Sequence, residues 1–147
     1  MTASLTIYNS FKKYIADGTI DLDTDTFKIA LVASGYTPST SHSTFSDITN
    51  ELSTANGYTA GGNTLAGVTW TQSGGTITWD ANDSVWTATG GNIVARYAVI
   101  YKSGTANSIT NPVVAYILMD TTPADVTTTD TNTLTVRFAG TGIITLS

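Results

Sequence analysis

The sequence predicts an all-β fold: a jelly-roll-like β-sandwich of about eight strands carrying one short N-terminal α-helix. Three observations lead there. Short runs alternate apolar residues with threonine, as in Leu134, Val136 and Phe138 against Thr133, Thr135 and Arg137. Glycine, asparagine, aspartate and proline punctuate the runs at regular intervals. One stretch, Ile93 to Tyr101, is apolar at nearly every position and rich in β-branched and aromatic residues, which marks a central strand covered on both faces.

Taken in order, Ile7, Tyr8, Phe11, Tyr14 and Ile15 recur at helical spacing, with Asn9, Lys12 and Lys13 opposite, so a helix is expected from Leu5 to Ala16. Ser4 or Thr6 caps its start and Gly18 stops it. Residues 1–18 thus read as a helical segment packed on a single domain spanning 1–147. From Thr19 to Thr26, Asp21, Asp23 and Asp25 share one face of an extended chain. A calcium loop would need glycine sixth and glutamate twelfth, where Thr26 and Val32 stand, so a solvated strand edge is expected ahead of an irregular cation site near Asp21 to Asp25. Phe27, Ile29 and Leu31 then alternate with Lys28 and Ala30 as a half-buried strand.

The Ser/Thr-rich stretch from Ser34 to Ala55 is long for a connection and holds the single histidine, His42, and the single glutamate, Glu51. His42 reads as an exposed loop residue, and Asp47 to Leu52 as a short helical turn. Leu65, Val68 and Trp70 begin the next extended region. Gly74-Gly75 opens a predicted hairpin in which Trp79 faces Trp86, with Asp-Ala-Asn-Asp-Ser as its turn. Arg96 interrupts the apolar central run and needs a carboxylate, for which Asp23, Asp80 and Asp83 are candidates. Val113 to Met119 is a second doubly buried strand, expected beside the first, and Ile143 to Leu146 is the last.

Composition narrows the function classes. The chain has 147 residues, 6 basic and 11 acidic, for a net charge of −5, which disfavours nucleic acid and anionic membranes as partners. Without cysteine there is no disulfide, thiol catalysis or cysteine zinc site. The longest apolar run, Val113 to Met119, falls well short of the ~20 residues that span a bilayer. The opening residues lack the pattern of a secretory signal, so synthesis in a cytoplasm is expected. One histidine, one glutamate and no cysteine leave no positioned acid, base and nucleophile, and Asp80 with Asp83 reads as turn chemistry, so no enzyme is expected. Only 12% of residues are charged and about a fifth are threonine, a surface suited to subunit contacts.

Four blocks, taken as a set, resemble virion structural proteins of tailed bacteriophages. They are Tyr8 to Pro38, Asn50 to Leu65, Trp79 to Trp86 and Ala95 to Lys102, containing IDLDTDTFKIALV, NELSTANGYTAGGNTL, WDANDSVW and ARYAVIYK. Within that group the chain is most similar to capsid decoration, or cement, proteins. The resemblance implies a protein bound to the head surface of a virion, assembled in the bacterial host cytoplasm, with the major capsid protein of the same phage as its partner. It implies a homo-oligomer, a trimer ahead of a dimer, and offers no catalytic residues; no metal or cofactor is expected. Exposed aromatics in Ser/Thr-rich segments would supply shell or subunit contacts: Tyr8, Phe11 and Tyr14 with Tyr36 and Phe45, and Arg96 as an anchor. The alternatives are a phage tail or fibre component, or a carbohydrate-binding module using Trp70, Trp86, Tyr58 and Tyr36.

Overall fold

The structure, a computed structural model, describes residues 3–147. The chain runs β1 (Ser4–Ile7), α1 (Asn9–Ala16), β2 (Phe27–Val32), a 3-10 turn (Phe45–Asp47), β3 (Asn63–Thr64), β4 (Thr69–Ser73), β5 (Thr76–Asp80) and β6 (Ser84–Thr87). It continues with β7 (Ile93–Ala95), β8 (Tyr97–Lys102), β9 (Thr105–Ala106), β10 (Ile109–Thr110), β11 (Val113–Leu118), β12 (Val126–Thr128), β13 (Thr133–Val136) and β14 (Ile144–Leu146). The fold is mostly β, as expected, with α1 the single α-helix among the described residues.

A five-stranded antiparallel sheet, ordered β1-β11-β8-β2-β3, holds the two doubly buried runs side by side. Its middle strand is β8, so the second half of the Ile93–Tyr101 stretch is indeed central, and β11 is its neighbour. The first half is not part of that strand. The chain breaks at Arg96, and β7 leaves to pair with β12, leaving Val94 exposed. Smaller sheets join β4, β5 and β14, and pair β6 with β13.

Alternation along the strands gives the five-stranded sheet two faces. Phe27, Ile29 and Leu31 of β2, Ala98 and Ile100 of β8, and Ala115 and Ile117 of β11 turn to one side. There they share a core with Trp79, Trp86, Ile93, Leu134 and Ile144 from the smaller sheets. Trp79 is fully buried, donates its indole N–H to the Leu22 carbonyl at 3.1 Å and meets Phe27 edge-on at 4.8 Å. A register shift between Val113 and Ala115 is what turns Val114 into this core while Val113 faces the other side.

Several expectations need correction. Residues 5–7 are not helical: β1 pairs with β11, Leu5 opposite Ile117, because the apolar residues that suggest helix also satisfy a sheet edge. The hairpin at Gly74-Gly75 joins β4 to β5, Trp70 opposite Trp79, while Trp86 on β6 lies opposite Leu134. Alternating pattern defines which face is buried but not which strand is the neighbour, so the wrong partner was as well matched as the right one. The Asp21–Asp25 stretch is a turn, with the Asp25 N–H donating to the Asp21 carbonyl, and not an extended edge. The β2 strand is buried on both faces rather than half-buried.

Candidate functional site

The second face of the five-stranded sheet carries hydroxyl-tipped aromatics. Tyr97, Val99 and Tyr101 of β8 lie between Ala30 and Val32 of β2 and Val113 and Tyr116 of β11. Residues 33–50 cross this face with little regular structure, so their backbone groups must find partners individually. They do: the Thr40 carbonyl accepts the Asn9 N–H at 2.9 Å, the Phe45 N–H donates to the Asn111 carbonyl at 2.8 Å, and the Val113 N–H donates to the Ser43 carbonyl at 3.2 Å. Asp47 closes the 3-10 turn by accepting the N–H groups of Ser43 at 2.9 Å and Thr44 at 3.0 Å. Those two donors hold its carboxyl below the usual aspartate range.

Under this segment Tyr8, at the head of α1, meets Tyr36 hydroxyl to hydroxyl at 3.0 Å, and the Tyr36 hydroxyl lies 2.9 Å from His42 Nδ1. Burial, then the bond to Tyr36, pushes the Tyr8 hydroxyl far above its ordinary value, and burial raises Tyr36 as well. Phe45 stacks on Tyr101 at 4.1 Å with ring planes 16° apart. Tyr97 meets Tyr36 at 5.6 Å and Tyr116 at 6.5 Å, both edge-on, and Tyr116 lies 5.4 Å from Tyr8.

A second group of hydrogen bonds ties this sheet to the residues that follow the segment. Glu51 accepts from the Tyr58 hydroxyl at 2.7 Å and from the Gly61 N–H. The Tyr58 oxygen accepts the Leu31 N–H at 3.2 Å, and the Tyr101 hydroxyl donates to the Gly61 carbonyl at 2.7 Å. Burial and then the Glu51 charge push the Tyr101 hydroxyl up to about 12. Gly62, at φ 73°, lies so near the backbone of Ile29 and Ala30 that a Cβ would overlap it. Lys102, at the end of β8, pairs with Asp25 at 2.8 Å and donates to the Thr19 carbonyl at 3.1 Å. Asp25 is thereby committed to a lysine, and among the described residues no group of three or more potential metal-ligating side chains comes together.

The six residues expected to make contacts separate. Tyr8 and Tyr36 are buried on the second face, and Phe45 is half-buried there. Phe11 and Tyr14 are buried in the opposite core. These four buried side chains are not the exposed aromatics that the segment's polarity suggested, because Phe11 and Tyr14 turn into the core and Tyr8 and Tyr36 pack on the second face of the sheet. Arg96 sits between β7 and β8 and pairs with Asp125 at 2.8 Å, not with Asp23, Asp80 or Asp83. His42 is half-buried and hydrogen-bonded rather than simply exposed, and the helical turn falls at Phe45–Asp47, earlier than Asp47 to Leu52. Of the aromatics considered for stacking on sugars, Trp86, Tyr58 and Tyr36 are buried and Trp70 is half-buried.

Sequence reasoning missed Tyr97, which follows Arg96 in the chain, and Tyr116, whose ring meets that of Tyr97; both are half-buried. Both sit on strands that read as wholly apolar, yet tyrosine with its polar tip is the residue that lets such a strand reach solvent. No protein-family model, curated protein or solved structure matches this chain.

Proposed function

We propose that this chain is a structural component of a tailed-bacteriophage virion that decorates the outer face of the head shell and stabilises it by protein contacts, without catalysis. The observation that supports this is where the blocks behind the phage resemblance meet. Leu31, Glu51, Tyr58, Gly61 and Tyr101 come from three of the four blocks and join in one hydrogen-bonded knot. Residues used this way specify a scaffold, so a shared motif set speaks for a shared fold rather than a shared reaction.

In this reading the five-stranded sheet and the smaller sheets are the two layers of a jelly-roll-like sandwich, packed through the core around Trp79 and Ile100. Contact with the shell or a second subunit is made by the Tyr97 and Tyr116 rings together with Arg96, which precedes Tyr97 in the chain, the residue types that dominate interface energies. A homotrimer would triple each such contact and hold a shell that a single copy grips weakly.

Near-atomic imaging of purified phage particles assembled in cells that express this chain tests the proposal. The expected result is density for it in clusters on the head exterior with Tyr97 and Tyr116 at a contact. Density on the tail, or particles that lack the chain, overturns it.

A further inference from the structure

Tyr8 is fully buried, and among the described residues its hydroxyl has one polar partner, the Tyr36 hydroxyl at 3.0 Å. Tyr36, 2% exposed, passes the chain on to His42 Nδ1 at 2.9 Å. Two links can hold two protons. They are filled when Tyr8 donates to Tyr36 and Tyr36 donates to the Nδ1 lone pair, which requires a neutral His42 with its proton on Nε2. A proton added at Nδ1 makes three donors for two links, and one buried hydroxyl is left without an acceptor, an arrangement folded proteins avoid.

We infer that Tyr8, Tyr36 and His42 form a proton-sensitive latch that holds residues 33–50 onto the second face of the sheet. The latch joins that segment to the head of α1 beside Tyr97 and Tyr116, so its release uncovers the aromatic face. No other charge in the neighbourhood replaces it. Asp47, the single carboxylate of residues 33–50, is committed to the N–H groups of Ser43 and Thr44. On α1, Ser10 donates to the His42 carbonyl at 3.3 Å, and Lys12 and Lys13 point to solvent. From the sheet, β11 contributes Tyr116 and β8 contributes Tyr97, both uncharged. The latch is therefore strongest while the imidazole is neutral, and it weakens when acid adds a proton at Nδ1. This holds for the isolated chain whatever it binds.

The test is amide exchange on the full chain at about pH 7.5 and about pH 5, corrected for intrinsic rates, read at Asn9 and Phe45. Their N–H groups bond from α1 to the segment and from the segment to Asn111. Opening is expected to rise about tenfold at the lower pH, the scale set by one stranded hydroxyl. His42→Asn, whose side-chain oxygen accepts from Tyr36 but does not titrate, should stay protected at both values. Tyr36→Phe should be open at both. Ring-nitrogen spectra of the unaltered chain should place the His42 proton on Nε2 at neutral pH. An Nδ1 proton there, no change in the unaltered chain, or the same change in His42→Asn would overturn the latch.

Discussion

The two faces of the five-stranded sheet are buried by different means. One is covered mainly by the strands of the smaller sheets and by α1, whose backbone groups are already paired, so the sheet's own side chains there are aliphatic or phenyl, and Trp79, Ile100 and Ile29 have no exposure at all. The other is covered by residues 33–50, an irregular segment whose side chains and backbone bring unpaired polar groups with them. That face is built from tyrosines, which bury a ring and still offer a hydroxyl. A sheet face roofed by a loop needs polar tips in its own side chains, and a face roofed by strands does not.

This contrast makes ordered predictions. Trp79→Ala, which empties the strand-roofed core and frees the Leu22 carbonyl, should cost about 3–5 kcal/mol of global stability in denaturant melts, with all probes unfolding together. If the loss were confined to one region, that core would not be the organising one. Tyr36→Phe removes both hydroxyl contacts and leaves Tyr8 unpartnered, for about 1–3 kcal/mol, and the loss should appear in the exchange of residues 33–50 before the sheet. An equal loss across the sheet would erase the distinction between the two faces.

Asp47→Asn should weaken the 3-10 turn by about 0.5–2 kcal/mol. Because Asp47 is held below its ordinary value, its contribution is present above about pH 3.9 and is lost as the pH falls through the lower value it has in the fold. An acid titration of the segment's fluorescence or exchange should lose that step in the variant. Smallest of all, Arg96→Ala removes an ion pair open to solvent, worth about 0–1 kcal/mol to the fold. A large effect on particle occupancy with little effect on melting would mark Arg96 as a contact residue.

Much of this architecture was legible in the residues. The Ile93 to Tyr101 and Val113 to Met119 runs read as neighbouring buried strands because they are apolar on both sides, rich in β-branched and aromatic residues and too short for a buried helix, and Tyr97–Lys102 and Val113–Leu118 do pair. The missed Asn56-Gly57 pair was a readable turn signal. Both residues adopt positive φ, 54° and 86°, and they close Ala55 onto Tyr58. The contact residues were less legible, since a tyrosine in a serine-rich loop looks exposed whether its ring points out or in.

Composition and periodicity by themselves determined that this chain is built of strands, lacks cysteine chemistry and buries β8 and β11 on both faces, because burial of apolar side chains is a local demand that each residue carries with it. Only the tertiary structure decided that Trp79 pairs with Trp70 rather than Trp86, that Arg96 meets Asp125, and that Tyr8, Tyr36 and His42 join. Those choices depend on which distant segments arrive together, and hydrogen bonds across 28 residues of chain, as between Tyr8 and Tyr36, leave no periodic mark in the sequence.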